Sequence, residues 1–278
     1  RQPLTSKVRY FSHTLLDITF SRFMLHDTMQ ENLKRTPLYH IHKQLGARLI
    51  EFGGWEMPVQ YRGIIDEHLT VRYNAGIFDL SHMGEIEIRG PGALPLLQKL
   101  ITNDAAAKLV NGRVIYTPMC TETGGIVDDL LVYRFDAERY LLVVNASNIN
   151  ADFEWIRAHN DTGAEVENRS DEIVLVALQG RNSPKILQTL TNTFATLSAG
   201  FNLSTIEYYW FAEGEVAGIP TIISRTGYTG EIGFELYVDA AHGADVWNVV
   251  YEATTASGGE AIGLGARDTL RLEMKYCL

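Results

Sequence analysis

The pattern of hydrophobic and polar residues between positions 36 and 101 predicts short helices that alternate with strands. Thr36 and Pro37 form a typical helix start, an N-cap residue followed by proline at the first helical position. The remaining elements predicted in this part are a strand over 47–52, a helix over 64–73, strands between 76 and 89, and a helix after the Gly-Pro-Gly of 90–92.

The middle of the chain is predicted to be rich in strands. Three of them cover residues 113–120, 125–134 and 140–145, and the turn at 121–124 pairs the first two as a hairpin. Such a meander places the middle residues of neighbouring strands side by side. A second hairpin is predicted over 221–238, with residues 226–230 as its loop. The last predicted element is a helix from residue 267 onward, because no Gly or Pro stop signal follows it.

A strand–glycine–helix pattern occurs twice in the chain. Residues 86–100 align with residues 176–190, and Gly90 falls opposite Gly180. This self-similarity indicates either two related halves or the recurrence of a common unit by chance. No linker rich in Pro, Gly or Ser separates two autonomous domains. The sequence therefore predicts an α+β fold with interleaved halves.

Composition narrows the class of protein. The 278 residues suffice for two domains or for one large domain with an insertion, and 46% hydrophobic with 21% charged residues is ordinary for a globular enzyme. A net charge of −10 argues against a nucleic-acid or anionic-membrane surface, because phosphate binding needs an excess of Lys and Arg. No apolar run approaches the roughly 18 residues of a membrane span. Cys120 and Cys277 do not resemble a metal knuckle or a disulfide framework, which favours a reducing compartment.

Residues 1–28 differ from the rest of the chain, because they show no clean helical or strand period. Their basic residues and serines are typical of a transit peptide, but Asp17 and Asp27 are not. We interpret this segment as an appended or upstream-translated leader, with Met29 as a candidate start.

Several strong catalytic signatures are absent from the sequence. It contains no P-loop, no GxGxxG after a strand, no HExxH and no GxSxG. Nucleotide hydrolysis, dinucleotide redox chemistry, zinc proteolysis and serine hydrolysis therefore lose most of their support. His40 and His42 offer two metal ligands, but no acid or thiol follows at a suitable spacing, so we expect a surface pair on a helix.

The most unusual local feature is the pair Asp128 and Asp129 in the middle of an apolar strand. Alternation places one carboxyl group on each face, so at least one shares an apolar face and needs a partner or a ligand. Tyr116 and Asn145 lie on the neighbouring predicted strands, where they would complete a polar patch suited to a flat heteroaromatic ring. The alternatives are an edge strand with both acids solvated, or a carboxylate paired with Arg.

A second set of candidates lies nearer the end of the chain. Glu235 follows a loop of Gly and Tyr residues that permits close approach of a ligand, and its carboxylate is able to accept paired N–H donors from a ring. The alternative is an exposed Glu beside a hairpin loop. The aromatic run 208–211 either stacks on a ring or fills the core. Arg267 either holds a carboxylate or pairs with Asp268 or Glu273.

These residues lie in motifs that occur in the same order in a known family. The motifs are TPLY, FGGWEMPVQY, FDLSHMGE, GGIVDDL, VVNASN, LQG, SRTGYTGEIGFELY and GLGARDTLRLE. Over residues 35–278 the chain resembles the aminomethyltransferase (T-protein) family of the glycine cleavage system. The number and order of these motifs make the resemblance highly specific.

The resemblance implies an enzyme that takes the aminomethyl group from the lipoyl arm of H-protein. It would transfer the methylene carbon to tetrahydrofolate and release ammonia and dihydrolipoyl H-protein. Lipoylated H-protein is then the expected partner and tetrahydrofolate the co-substrate, with no metal, nucleic acid or membrane. The expected compartment is the cytoplasm, or the mitochondrial matrix in a eukaryote.

The resemblance also implies roles for particular residues. Asp129 matches the family's catalytic aspartate, near the reacting nitrogens of the folate. Glu235 would bind the 2-amino and ring N–H edge of the pterin, and Arg267 the other end of the pterin or the linker. The implied pterin and folate contacts are Met83, Tyr116, Asn145, Tyr208, Tyr228, Glu235 and Arg267, with the neighbouring Tyr209 as the alternative to Tyr208.

In domain terms, residues 29–86 and 170–278 are expected to form a discontinuous first domain and residues 87–169 an inserted second one. The family implies a third, β-rich C-terminal domain that is missing from this chain, so the expected activity of the chain itself is in question. The alternatives kept open are a non-transferase folate binder such as an iron–sulfur assembly factor, the folate domain of a dimethylglycine or sarcosine oxidase, and a non-catalytic scaffold for H-protein.

Overall fold

Short helices and strands make up the part of the chain that the computed structural model describes, residues 33–191 and 202–278. The leader predicted at 1–28 lies outside the described residues. The helices are α1 (Tyr39–Gln44), α2 (Ile64–Tyr73), α3 (Ala93–Leu100), α4 (Ala105–Lys108), α5 (Ile149–Ala158), α6 (Ser183–Thr191), α7 (Gly243–Ala256) and α8 (Leu264–Glu273). The strands are β1 (Arg48–Phe52), β2 (Trp55–Gln60), β3 (Gly76–Asp79), β4 (Gly84–Arg89), β5 (Val114–Cys120), β6 (Ile126–Arg134), β7 (Arg139–Val144), β8 (Glu165–Asn168), β9 (Ile173–Gln179), β10 (Phe211–Val216), β11 (Ile219–Ser224), β12 (Gly233–Asp239) and β13 (Glu260–Ala261).

A six-stranded sheet contains β9 near its centre, in the order β10-β11-β12-β9-β3-β13. Both faces of β9 are covered, which explains its nearly continuous apolar sequence. Val174, Val176 and Leu178 pack on one side in a core that includes Trp247 of α7. Leu175, on the alternate face, packs with residues of the other large sheet.

The five-stranded sheet is antiparallel throughout, in the order β5-β6-β7-β4-β8. Apolar side chains on one face contact α3 and α5 in a core that includes Leu97 and Ile156. On the opposite face, Tyr133 and Val143 pack in a core shared with Leu175 and Tyr237 of the six-stranded sheet. The two sheets therefore meet face to face.

Chain order explains how the two sheets are interleaved. All five strands of the second sheet lie between Gly84 and Asn168, whereas the six-stranded sheet takes strands from both sides of that segment. This arrangement fits the expected α+β class. The division into domains at residues 86 and 170 stays a prediction.

Several predicted elements agree with the structure. The helix over 64–73 has the expected bounds, and the hairpins β5–β6 and β11–β12 both form. Strand β2 was not predicted, although it pairs with β1 across the turn at Gly53 and Gly54. Strand–glycine–helix units occur in both sheets, at Gly90 after β4 and at Gly180 after β9.

Three expectations were wrong. Helix α1 begins at Tyr39 rather than Pro37, and Thr36 does not cap it, because the Thr36 hydroxyl donates to Asp79 at 2.7 Å. The last helix, α8, does not continue to the end of the chain: it ends at Glu273, and two residues later Lys275 adopts a φ of 60°. His42 is not a surface residue: it is 1% exposed and hydrogen-bonded to the Asp79 carboxylate at 2.8 Å.

Among the described residues, no helix is both long and apolar enough to cross a membrane.

Candidate functional site

A cavity of about 550 Å³ lies where the two sheets meet. Both sheets, the loop between β11 and β12, and helix α8 contribute to its walls. Among its lining residues are seven of the eight predicted site residues: Met83, Tyr116, Asp129, Asn145, Tyr228, Glu235 and Arg267. Residues separated by more than a hundred positions in sequence thus form one site.

Asp129 occupies the wall formed by the five-stranded sheet. The register of β5 and β6 pairs Tyr116 with Leu131, and Leu131 shares a face with Asp129 because side chains alternate along a strand. The Tyr116 hydroxyl therefore reaches the Asp129 carboxylate and donates a hydrogen bond to Oδ2. Burial, together with the hydrogen bond and charge of Asp129, raises the pKa of Tyr116, so this hydroxyl keeps its proton.

Asn145 joins the two neighbouring acids. It follows directly after β7, and its side-chain Nδ2 donates to Asp129 Oδ1 at 3.0 Å and to Asp128 Oδ1 at 2.8 Å. Its backbone N–H donates to Asp128 Oδ2 at 3.3 Å. The expected carboxylate partner is therefore an amide side chain; within residues 33–191 and 202–278 neither acid pairs with an arginine, and β6 lies between β5 and β7 rather than at an edge.

The opposite wall carries Glu235 of β12. This carboxyl group is 6% exposed, which excludes the exposed alternative, and Oε2 accepts a hydrogen bond from Thr226 Oγ1 at 2.5 Å. Burial raises the pKa of Glu235, while the Thr226 hydroxyl and the charge of Arg267 act in the opposite direction. A buried acid that lines a cavity is suited to recognising N–H groups of a ligand.

Arg267 and Tyr228 form the side of the cavity next to Glu235. The Arg267 guanidinium lies 4.7 Å from the centre of the Tyr228 ring, a cation–π arrangement. Burial lowers the pKa of Arg267, although the nearby Glu235 carboxylate opposes that shift. The pairing that the sequence left open does not form, because Asp268 pairs with Arg271 and Glu273 with Arg72.

Of the two adjacent tyrosines, Tyr209 rather than Tyr208 lines the main cavity. Tyr208 is 58% exposed and lines a neighbouring cavity of about 330 Å³. Tyr209 has a φ of 63°, so the chain turns sharply between the two residues. Sequence alignment alone gives no sign of this reversal.

His82 and Tyr237 are polar lining residues that were not predicted from the sequence, and Asp128 joins the expected patch through Asn145. Burial lowers the pKa of His82 to about 4, so its imidazole is neutral near pH 7. Tyr237 donates to or accepts from Tyr133 at 2.8 Å, and Tyr133 in turn contacts Thr226 Oγ1 at 3.3 Å. A tyrosine on a strand gives no sequence signal that separates such a role from core packing.

The described side chains that line the cavity include acids, the cation of Arg267 and aromatic rings. Nowhere in the described ranges 33–191 and 202–278 do three or more His, Cys, Asp or Glu side chains form a group able to hold a metal ion. The walls offer acceptors at Asp129 and Glu235, a donor at Arg267 and an aromatic ring at Tyr228. These features fit a planar, nitrogen-rich ligand.

The fold and this cavity define an α+β protein with a largely apolar cavity, carrying a few polar groups, at the junction of two sheets. A more specific assignment comes from comparison with known families. Residues 38–278 match the GCVT N-terminal domain, and the chain belongs to that family.

Two curated relatives of this chain are aminomethyltransferases. The chain is 53% identical over 246 residues to an aminomethyltransferase of Halothermothrix orenii, covering 88% of this chain and 66% of the relative. It is 53% identical over 256 residues to an aminomethyltransferase of Symbiobacterium thermophilum, covering 90% of this chain and 66% of the relative. The chain thus spans just under two thirds of the length of these relatives.

Two solved structures are similar in fold. The glycine cleavage system aminomethyltransferase T from Bartonella henselae superposes with a TM-score of 0.78 at 35% identity, covering 88% of this chain and 64% of that one. A heterotetrameric sarcosine oxidase from Corynebacterium sp. U-96 gives a TM-score of 0.52 at 12% identity, covering 81% of this chain and 97% of that one. The second similarity concerns the fold alone.

Proposed function

We propose that this chain carries the folate site of a tetrahydrofolate-dependent aminomethyltransferase of glycine cleavage. The substrates would be tetrahydrofolate and the aminomethyl group on the lipoyl arm of H-protein. The products would be 5,10-methylenetetrahydrofolate, ammonia and dihydrolipoyl H-protein. The two hydrogens lost from the folate nitrogens go to the departing ammonia and to the lipoyl sulfur, so the reaction balances.

The observation that supports this proposal most strongly is the pairing of Asp129 and Glu235 across one cavity. A pterin is flat and presents N–H donors along one edge, and Glu235 is a buried acceptor for such an edge. The Tyr228 ring lines the same cavity, where the Arg267 guanidinium lies 4.7 Å and the Tyr276 ring centre 5.8 Å from its own centre. A volume of about 550 Å³ lies within the range of small-molecule sites.

Folate supplies the two nitrogens that accept the methylene carbon. The protein's task is to orient those nitrogens and to stabilise positive charge that develops as ammonia leaves. Asp129 suits the second task, because its carboxylate faces the cavity and is fixed on both oxygens by Tyr116 and Asn145. We assign Asp129 to electrostatic stabilisation, with proton transfer as a second role of the same group.

H-protein is the proposed partner, because the lipoyl arm that delivers the aminomethyl group is carried on that protein. The bacterial relatives suggest the cytoplasm as the compartment. Lipoyl-dependent transfer would separate this function from the alternatives of a folate-binding assembly factor and a non-catalytic scaffold.

The first test is a calorimetric titration of this chain with tetrahydrofolate, with Glu235→Gln alongside. Replacing a charge-assisted acceptor should weaken binding by about 10- to 100-fold. Glu122→Gln is the matched control, because Glu122 lies in the exposed β5–β6 turn, and its affinity should be unchanged. Absence of saturable binding to the wild-type chain would contradict the proposed site, and so would equal affinities of Glu235→Gln and wild type. A transfer assay with aminomethylated H-protein then tests the reaction itself.

A further inference from the structure

Asp152 is a buried acid next to the candidate site that the mechanism above does not use. It lies in the first turn of α5 and is 0% exposed. Within the described residues, neither of its carboxyl oxygens receives a hydrogen bond from an N–H or O–H donor. An ionised carboxylate without donors in such a place is costly, since its lost hydration is not replaced.

The nearest influence on Asp152 besides burial is another acid, Asp128, which lies close enough for its carboxyl group and its charge to raise the pKa of Asp152. Two carboxylates in contact do not both ionise readily, because the second negative charge is opposed by the first. The pair is therefore expected to hold one proton. Asp128 already accepts from the side chain and the backbone N–H of Asn145, whereas Asp152 receives no such donor. The proton consequently belongs on Asp152.

We propose that Asp152 is a protonated carboxylic acid that donates a hydrogen bond to Asp128 and, through Asn145, positions Asp129. The relay has three links: Asp152 to Asp128, Asp128 to Asn145 Nδ2 at 2.8 Å, and Asn145 Nδ2 to Asp129 Oδ1 at 3.0 Å. Asp152 is thus a positioning residue, because it does not line the cavity. Its effect on catalysis rests on the proposed function, whereas its protonation does not.

The surroundings of Asp152 contain no described cation that would stabilise its charge. Burial is the largest influence and Asp128 the second, and together they raise the pKa of Asp152 to about 8. On α5 itself, Glu154 and Arg157 pair with each other at the surface. The helix also packs on β4 and β8. The charged side chains of those two strands are Glu85, Glu87, Arg89, Glu165 and Glu167.

None of these strand residues is placed to hold Asp152 in its charged form. Glu87 forms ion pairs with Arg89, Arg139 and Arg169. Glu165 and Glu167 are exposed. Glu85 alternates with Ile86, which packs on the helix side of the sheet, so Glu85 lies on the opposite face. Loss of the proton would place two negative charges side by side and break the first link of the relay.

The decisive measurement is an infrared pH titration that needs neither folate nor H-protein. Wild type should show a protonated carboxylic acid band that is lost as the pH rises through about 8. Asp152→Asn should lack that band, because its amide donates to Asp128 at every pH without titrating. Other buried acids contribute equally to both spectra and cancel in the difference. Identical spectra for the two proteins would overturn the proposal.

Transfer kinetics test the positioning role separately. We expect kcat of wild type to fall above pH 8, whereas kcat of Asp152→Asn stays level there. Asp152→Leu, which removes the donor, should lower kcat by about 10- to 100-fold with little change in KM for folate. Asp171→Asn, on an exposed 3₁₀ turn, is the control and should match wild type. A parallel fall of kcat in wild type and Asp152→Asn would refute the relay.

A wild-type chain without transfer activity would contradict the proposed function, and the infrared spectra would still decide the protonation of Asp152.

Discussion

At the scale of single residues, Asp128 and Asp129 show how one strand gives two adjacent acids different environments. Asp128 shares the helix-side face of its strand with Leu130 and is 6% exposed, whereas Asp129 shares the opposite face with Leu131, beside Tyr116. Asn145 donates to both of them through the same nitrogen. The buried acid is thereby a structural partner, and the cavity-facing acid is free to act on a ligand.

This difference leads to a prediction for Asp129→Asn. The substitution keeps the size of the side chain and removes the charge, so folate affinity should change by no more than a few fold. Turnover should fall by about 100- to 1000-fold, the usual loss when a group that stabilises developing charge is removed. Single-turnover transfer from aminomethylated H-protein measures this. Asp171→Asn provides a control, and unimpaired turnover of Asp129→Asn would remove Asp129 from the mechanism.

At the scale of elements, Glu67 ties the start of α2 to the start of α8. Its Oε1 accepts from the backbone N–H groups of Tyr61, Arg62 and Gly63 at 2.6, 2.9 and 3.1 Å. Its Oε2 accepts from the Gly263 N–H at 2.7 Å. Since α8 carries Arg267, this buried carboxylate also fixes one wall of the cavity.

We predict that Glu67→Gln destabilises the protein by about 2–3 kcal/mol. The glutamine oxygen is able to keep the three bonds near α2, but its NH₂ group then faces the Gly263 N–H, leaving a buried donor without an acceptor. Urea unfolding measures the difference. Asp66→Asn is the neighbouring control, because the Asp66 side chain is 59% exposed, and it should change stability by less than about 0.5 kcal/mol. Equal stability of both variants would show that the Gly263 bond contributes little.

The two strand–glycine–helix units permit a matched comparison of Gly90 and Gly180. Both have positive φ, 90° and 119°, so alanine is strained at either position. At Gly90 an added Cβ meets nothing within 4 Å, whereas at Gly180 it would lie 2.5 Å from the carbonyl oxygen of Asn74. Gly90→Ala should therefore cost about 1–2 kcal/mol, and Gly180→Ala at least about 3 kcal/mol. Unfolding free energies decide the matter, and equal costs would show that the backbone at Gly180 adapts.

The elements that sequence could predict are those with local signals. The hairpin β5–β6 follows from its turn residues, and α2 from its helical pattern and the glycine beyond it. Strand β2 was missed because it lies directly after a glycine pair and contains Pro58, a residue that is depleted in strands. The end of α8 was missed because no glycine or proline marks it: Lys275 itself takes the positive φ.

At the scale of the whole molecule, the site depends on contacts that no local pattern encodes. The resemblance to a known family places Asp129 and Glu235 in one site. The pattern of strands alone does not predict that the two sheets carrying these residues meet at a cavity. The sequence also gave no sign that Tyr209 rather than Tyr208 points to the cavity, because a positive φ separates them. The pKa values of buried acids also depend on the fold. Asp152 and Glu85 are ordinary acids in the sequence, but both are fully buried in the structure, and burial raises their pKa values.

Glu85 makes the stability of the whole molecule depend on pH. It is 1% exposed, its two carboxyl oxygens have no hydrogen-bond partner in the described part of the chain, and burial raises its pKa well above the ordinary 4.5. The folded state therefore keeps a proton that the unfolded chain loses above that value. The resulting stabilisation is complete below pH 4.5 and is lost as the pH rises toward the folded-state pKa, by up to about 1.4 kcal/mol per pH unit.

Glu85→Gln removes this titration, because an amide carries no charge at any pH. We expect the free energy of unfolding of wild type to fall between pH 6 and pH 9, with Asp152 contributing up to about pH 8, and that of Glu85→Gln to fall less steeply. His82 does not obscure the comparison. Burial lowers its pKa to about 4, so its titration lowers the free energy of unfolding only as the pH falls below about 6.5. Urea unfolding at four pH values measures the slopes, with exposed Glu165→Gln as the control. Parallel slopes for wild type and Glu85→Gln would mean that Glu85 is ionised in the folded protein, which would require a cation or ordered water beside its carboxylate.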